Sequence, residues 1–328
     1  MGDSAKTSGF RSRENQSATY HISQESARDA VVELGIHRSL ESPSCDVSRI
    51  SDSANDVKSL PGDCIPVLSV VVPFFNEKHR LEETLSRIVG LANSSVEVVL
   101  VDDGSTDGTS VVLREAASGV TNVRFHQLER NSGKGAAVRA GIALTTGASV
   151  AFMDADLATD LACLPHLLKA LEKAEIAIGS RSDAAAELHQ LSRARSLMGG
   201  LFNKAVRKVT GLEYSDTQCG FKAFRGEVAR RLFALNQIDG FAFDVEVLLF
   251  AQVAGMRIVE VPVKWTERDG SKVRVGIDPL KMLWDLLQIR WWTVRNSDMI
   301  VRNLGSSWHL QSDFSTSLSG QSSTALPG

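Results

Sequence analysis

The sequence predicts an α/β fold: a doubly wound, mainly parallel sheet with helices on both faces. Three observations carry that expectation. From about residue 66 onward, short β-branched or apolar runs alternate with stretches of helical periodicity. Acidic and glycine-containing turns follow several of the runs, and an open parallel sheet binds its ligands beyond the carboxyl ends of its strands. At 328 residues and 43% hydrophobic content the chain can bury a sizeable core.

Residues 1–62 are rich in Ser and mixed charge, with Phe10 and Tyr20 as their only aromatics. Such a segment cannot bury enough apolar surface to offset its ordering entropy. It is expected to be a disordered tail, with at most a short helix near Ser26–Leu34. The folded body is expected over 63–298. Val67–Val72 is a β-branched run and predicts a strand, with Pro73 stopping its ladder. A helix should follow over Lys78–Ala92, placing Leu81, Leu85, Ile88 and Leu91 on one face. Val96–Val101 predicts the second strand. It runs into Asp102-Asp103-Gly104-Ser105-Thr106-Asp107-Gly108-Thr109, a turn that caps the next helix. Val123–Gln127 reads as the third strand. Asn131-Ser132-Gly133-Lys134-Gly135 opens a helix to about Thr145. Ser149–Met153 and Ile176–Gly179 read as strands four and five.

Beyond Arg181 the pattern loosens. Helices are expected over Arg193–Val209, Glu227–Leu235, Ala242–Ala254 and Asp278–Arg295, with a bend at Gly220 and a strand over Arg257–Trp265. The loop Arg268–Lys272 reads as basic and flexible. After Asn296 the chain turns polar and Ser-rich, so 299–328 is expected to be a second disordered tail. No internal repeat is visible.

Composition removes several function classes. A net charge of −3 gives no case for nucleic-acid binding by bulk electrostatics. Cys45, Cys64, Cys163 and Cys219 make no metal or redox spacing and read as reduced thiols of a cytoplasmic protein. There is no apolar signal-peptide core, and no run approaches the roughly 20 apolar residues of a spanning helix. A membrane role is therefore expected to be peripheral.

The chemistry centres on SVAFMDADLATD, residues 149–160. Its apolar run breaks onto Asp154 and Asp156. Two carboxylates beyond a buried strand need positive compensation, and the usual compensator is a hard divalent cation shared with a substrate pyrophosphate. The bland alternative is an N-cap carboxylate with a solvated neighbour. Glu77, Asp102 and Asp103 also follow strands, so with Asp154 and Asp156 they should converge along one sheet edge. Such carboxylates can grip a ribose and a base. Gly133-Lys134-Gly135 at a helix start should expose backbone N–H groups and the positive end of the helix. No G-x-G-x-x-G follows the first strand, which counts against a nicotinamide enzyme.

Taken in order, VVVPFFNE, VDDGSTDGT, NSGKGAAVRAG, MDADLATD and IGSR resemble glycosyltransferase family 2, with its Rossmann-like GT-A fold. The resemblance covers roughly Val67–Arg295. DTQCGFKAF and FAFDVEVL are more similar to dolichyl-phosphate β-glucosyltransferases than to mannosyl-phosphate synthases, and the RDGSK loop is shared with polyprenyl-phosphate glycosyltransferases broadly. The resemblance implies an inverting transferase. It would move a hexose from a nucleotide sugar, UDP-glucose favoured, to a polyprenyl or dolichyl monophosphate, with Mg2+ or Mn2+ as cofactor. It implies a nucleotide-sugar half over 66–181 and an acceptor half over 182–298. Pro73, Asn76 and Glu77 would lie against base and ribose, and one of Asp102 and Asp103 would contact the base. Asp154 would face ribose or metal, and Asp156 would bind the metal. Lys134 belongs to the nucleotide-binding set. Arg181 would lie near the donor diphosphate, Arg195 would meet the acceptor phosphate, and Lys272 would close over the site.

Two departures stand out. Some mannosyl-phosphate relatives carry Gln two residues past the second metal Asp, where this chain has Ala158. The eukaryotic relatives also carry an N-terminal membrane anchor, which is not visible here. The implied protein would work at the cytoplasmic face of a membrane by peripheral contact. Asp244 would be the general base if the acceptor were a hydroxyl; the structural alternative has it holding an Arg or Lys. Three other functions stay open: a hydroxyl-acceptor transferase, a mannosyl- or N-acetylhexosaminyl-phosphopolyprenol synthase, and a non-catalytic nucleotide-sugar-binding protein. In the helix Asp278–Arg295, Leu280, Leu283, Trp284, Leu287, Trp291 and Val294 form one broad apolar face, with Trp292 on the other. Trp292 is expected at the membrane surface, against the alternative that the helix closes the core.

Overall fold

Valine and leucine runs with little alternation produce strands buried on both faces, as a sheet covered on both sides requires. In the computed structural model, which describes residues 66–181, 193–266 and 277–305, these runs are strands β1 (Leu68–Phe74) and β2 (Val96–Asp102). Residues 193–199, 201 and 277–280 are described as helical backbone only. The remaining strands are β3 (Val123–Gln127), β4 (Ser149–Phe152), β5 (Ile176–Ser180), β6 (Lys222–Arg225) and β7 (Ile258–Pro262). They form one seven-stranded sheet in the order β3-β2-β1-β4-β6-β5-β7. All neighbours run parallel except β6, which is antiparallel to both β4 and β5.

The helices are α1 (Leu81–Val89), α2 (Thr109–Ser118), α3 (Lys134–Ala143), α4 (Leu164–Ala170), α5 (Arg193–Thr210), α6 (Gly226–Leu235), α7 (Phe243–Val253), α8 (Ile277–Arg295) and α9 (Ser297–Leu304). They sandwich the sheet. On one face Leu85, Ile88, Leu113, Leu164 and Leu167 pack with Val70, Val72 and Leu100. On the other, Val138, Ile142, Leu232, Phe243, Leu248 and Ile289 pack with Val71, Val99, Val101 and Phe152. Phe152, Phe224, Phe233 and Phe243 form an aromatic centre there, with ring centroids 5.7–6.2 Å apart.

The structure corrects the sequence reading in four places. Pro73 does not stop β1. The strand runs on to Phe74, with Pro73 opposite Val101 and Phe74 opposite Asp102. The Val71 carbonyl accepts from Met153 and the Phe74 carbonyl from Asp103, so Val71 and Pro73 face the β4 side while Phe74 faces β2. β4 ends at Phe152, beside Val71, so the missing proline N–H falls where no ladder partner is needed. The helix expected from Lys78 begins as a 3₁₀ turn, Lys78–Arg80. Where only a bend at Gly220 was expected, β6 threads between β4 and β5, so the division at residue 181 runs through one sheet. The chain beyond Asn296 forms α9, with Ile300 and Leu304 fully buried. Its other six residues are partly or fully exposed, and composition alone hides the buried apolar pair. α4 is an addition. It follows a turn whose N-cap, Asp160, accepts from the Ala162 N–H at 3.1 Å.

Residues 1–62, the Ser26–Leu34 helix, the Arg268–Lys272 loop and the 306–328 tail lie outside the described residues. Among the described residues no helix is long and apolar enough to cross a membrane.

Candidate active site

The carboxyl ends of β1, β2, β4 and β5 supply the site. After β1 the chain turns at Asn76, which takes a left-handed φ of 51°, a conformation asparagine tolerates. The turn locks onto the loop after β2. The Asn76 N–H donates to Ser105 Oγ at 2.9 Å, and the Thr106 N–H donates to Asn76 Oδ1 at 2.9 Å. The Glu77 and Lys78 amides donate to Thr109 Oγ1 and Asp107 Oδ2. The first two motifs are therefore one bracket. Glu77 is buried, with Arg80 Nε 2.9 Å from Oε2. Pro73 is the penultimate residue of β1.

Asp102 and Asp103 differ sharply. Asp103 accepts the Ser132 and Gly133 amides at 2.7 and 2.9 Å, one on each oxygen. Burial pushes its carboxyl above the usual range, against those two donors. Asp102 uses one oxygen to accept the Ser105 N–H at 3.1 Å, while Oδ1 is buried with no hydrogen-bond partner among the described residues. A buried acceptor without a donor costs free energy unless a ligand completes it.

The helix start at Gly133–Gly135 is not the open anion site the sequence suggested. Its Ser132 and Gly133 amides serve Asp103, and the Gly135 and Ala136 amides donate to the Asp239 carbonyl at 2.8 and 3.3 Å. A Cβ at Gly133 would strike the Asp239 carbonyl, and one at Gly135 the Ile238 carbonyl. These glycines admit the 238–239 backbone, not a phosphate. What the segment presents is Lys134, whose Nζ lies 2.6 Å from Asp154 Oδ1.

Asp154 and Asp156 follow β4. Asp156 Oδ1 accepts the Ala158 N–H at 3.0 Å, and Arg80 Nη1 stands 3.9 Å from Oδ2. Burial, then the charge of Asp154, pushes the Asp156 carboxyl up. Leu157 holds a φ of 49°, unusual for its type, and the turn is pinned to the segment that follows β7. Asp160 N–H donates to the Lys264 carbonyl and Thr266 N–H to the Ala158 carbonyl. Gly220 packs so close that a Cβ there would run into the Asp154 carboxylate. No cluster of three or more metal-ligating side chains exists among the described residues. Two hard carboxylates beside a cleft still fit a divalent cation that draws its other oxygens from water and a diphosphate. Ala158 adds no side-chain ligand.

Arg181, at the end of β5, grips Asp216 as a fork: Nε to Oδ2 at 2.6 Å and Nη2 to Oδ1 at 2.8 Å. Its backbone N–H reaches the same carboxylate at 3.2 Å, and its guanidinium lies 5.7 Å over the Trp265 ring. Burial alone would raise Asp216, but Arg181 holds it below the usual carboxylate range. Asp154, Arg181, Gly220 and Trp265 line one cleft. Asp216 and Trp265 were not singled out by the sequence. Asp216 opens DTQCGFKAF, and that was its only signal.

Asp244 stands behind the cleft wall. Its Oδ1 is 2.7 Å from Lys222 Nζ, both side chains are at most 3% exposed, and Lys222 also donates to the Cys219 carbonyl at 2.6 Å. Burial pushes Asp244 up, while Lys222 and Lys134 pull against it. This is the structural alternative weighed for the residue. Arg195 lies in the first turn of α5, its side chain not described, and Lys272 lies outside the described residues.

Comparisons with known proteins bear on this geometry. The family model described as glycosyl transferase family 2 matches residues 69–233. A dolichyl-phosphate beta-glucosyltransferase of Dictyostelium discoideum is 36% identical over 243 residues, covering 68% of this chain and 73% of that one. A Homo sapiens protein of the same name is 37% identical over 262 residues, covering 74% and 78%. Among solved structures, glucosyl-3-phosphoglycerate synthase from Mycobacterium tuberculosis in complex with uridine-diphosphate superposes with a TM-score of 0.52. That match is 23% identical, covers 71% of this chain and 86% of that one, and speaks to the fold alone.

Proposed function

The chain belongs to glycosyltransferase family 2, has the GT-A fold and is a hexosyltransferase; on that premise we propose that it transfers glucose from UDP-glucose to dolichyl or a related polyprenyl monophosphate, with inversion at the anomeric carbon. The observation that carries the reading is Asp154 and Arg181 lining one cleft, at the edge of the sheet where Asp156 also lies. Carboxylates on one side and a guanidinium on the other suit a sugar diphosphate.

The chain's residues divide the work as follows. Asp102, with its unpaired Oδ1, accepts from the nucleobase. Asp103 holds the 132–133 segment in place, and Pro73, Asn76 and Glu77 form the bracket against base and ribose. Asp154 and Asp156 hold Mg2+ or Mn2+, which when bound neutralises charge on the donor diphosphate. Lys134 serves the same end from the helix side. Arg181, preset by Asp216 and Trp265, faces the leaving diphosphate, where fixed positive charge stabilises what develops in the transition state. Arg195 meets the acceptor phosphate and Lys272 closes over the site. A phosphate monoester oxygen is already anionic at neutral pH, so no strong base is required. The pairing of Asp244 with Lys222 supports that choice over a hydroxyl acceptor. The protein works at the cytoplasmic face of a membrane, through peripheral contact.

The test is turnover of UDP-glucose with a short-chain, water-soluble polyprenyl phosphate and Mg2+, beside a panel of other nucleotide sugars. A glucosyl phospholipid is the expected product. Transfer only to hydroxyl acceptors, or a clear preference for GDP-mannose, would overturn the reading.

A further inference from the structure

Helix α8 is amphipathic in the reverse sense for a helix packed on a core. It turns inward a carboxylate, Asp285 (7% exposed), and a threonine, Thr293 (1%), beside Leu286 and Ile289. Outward it presents Leu283, Trp284, Leu287, Trp291 and Val294, all 40–62% exposed. With 3.6 residues per turn, these side chains fall within an arc of about 100°. Trp292, which the sequence reading placed outward, instead packs on Phe250 with ring centroids 5.2 Å apart. Two tryptophans more than half exposed on one stripe are unfavourable in water unless something covers them.

The charges say what covers them. Arg290 and Arg295 bound the stripe on its two edges, and the Arg295 guanidinium lies 4.8 Å over the Trp291 ring. Among the described side chains of α8 and α9, the outer surface carries Lys281, Arg290, Arg295 and Arg302 against one carboxylate, Asp298. A second copy of the chain, docked face to face, would set this basic rim against itself. An apolar surface fringed by anions would not.

We propose that this face is the protein's lipid-contact surface. α8 lies in the plane of a leaflet rich in anionic headgroups, with Trp284 and Trp291 at the acyl boundary and Arg290, Arg295 and Arg302 among the phosphates. The helix is not apolar enough to cross, so it rests in the interface. α5, which carries Arg195, packs against α8. The inference deepens the lipid-phosphate reading and rests on it for its purpose, though the surface chemistry stands by itself.

The experiment is flotation of the full chain with phosphatidylcholine vesicles, with and without phosphatidylserine. Binding should require phosphatidylserine and weaken as salt rises. Trp284→Ala and Trp291→Ala should each lower partitioning about tenfold while leaving the melting temperature unchanged. Arg290→Glu with Arg295→Glu should remove the preference for anionic lipid. No binding by the wild type, or equal binding by the double tryptophan variant, overturns the proposal. So does a dimer in solution that dissociates when the two tryptophans are removed. Turnover with water-soluble polyprenyl phosphate, run in parallel, separates the two readings. If turnover fails while vesicle binding behaves as described, the acceptor assignment falls and the lipid surface stands.

Discussion

Asp216 and Arg181 carry more of the site than either suggests alone. The fork fixes the guanidinium over Trp265 and leaves its remaining donors to the cleft. Asp216→Asn should therefore lower kcat/KM for the donor by about 10²-fold and cost on the order of 1–3 kcal/mol of stability at neutral pH. Because Asp216 sits below its unfolded value, that stability is present above about pH 4 and lost as pH falls through the folded value. Urea unfolding at pH 7 and pH 3 checks it, and an equal loss at both would refute the ion pair. Asp156 behaves in the opposite way. Burial and Asp154 push its carboxyl up, so its charge costs the fold stability. Asp156→Asn should cut activity by about 10²–10³, lose Mn2+ binding measured by electron paramagnetic resonance without nucleotide, and melt no lower than wild type. Retained Mn2+ affinity would remove the residue from the metal set. Asp154, Asp156 and Arg181 were legible in the sequence because they follow apolar strand runs directly. Asp216 and Trp265 were not, since what matters about them is a partner 35 residues away for Asp216 and a stacking contact for Trp265. The glycines at 133 and 135 were read as exposing amides to an anion, but what they admit is the 238–239 backbone, and glycine cannot say what approaches.

Elements add a second kind of error. The apolar stripe of α8 was visible in the sequence, yet its direction was not, because periodicity ranks faces without saying which meets the core. The buried face proves to be the one with Asp285 and Trp292. Trp292→Ala should accordingly lower stability by about 2 kcal/mol or more, being a large ring lost from a packed layer. A melting temperature equal to wild type would return it to the surface. Glu246 on α7 gives a pH signature. It takes the Gln237 and Ile238 amides and the Asn236 side chain, clamping the loop that leads from α6 into α7. Burial outweighs those donors and pushes the carboxyl up to about 7. The folded state thus holds this proton more tightly than the unfolded chain. Its contribution is full below pH 4.5 and is lost as pH rises through about 7. The slope is on the order of 1 kcal/mol per pH unit. Glu246→Gln should flatten stability against pH in that window, and an unchanged profile would contradict the shift.

At the scale of the molecule, the alternation of strand and helix announced the layered sheet, but the antiparallel seam at β6 could not be read. Strand direction is set by the route of the chain, and KAFR is too short to show a period. The C-terminal boundary failed for a related reason. α9 is only eight residues long and half polar, and its role depends on where α6, α7 and α8 leave a gap. Ile300 and Leu304 fill that gap at 0% exposure, one helical turn apart. They close the layer beneath the helix whose outer face carries Trp284 and Trp291. Ile300→Ala and Leu304→Ala should each cost about 2–5 kcal/mol, and less than the sum together, because they share neighbours. A chain ending at residue 298 should melt well below one ending at 305 and should bind vesicles less well even with the α8 stripe intact, since α8 then keeps α5 and α7 but loses the support of α9. The two lengths, compared by calorimetry and flotation, decide the matter. If the shorter chain melts and binds like the longer one, α9 is an appendage and the folded body ends at Asp298.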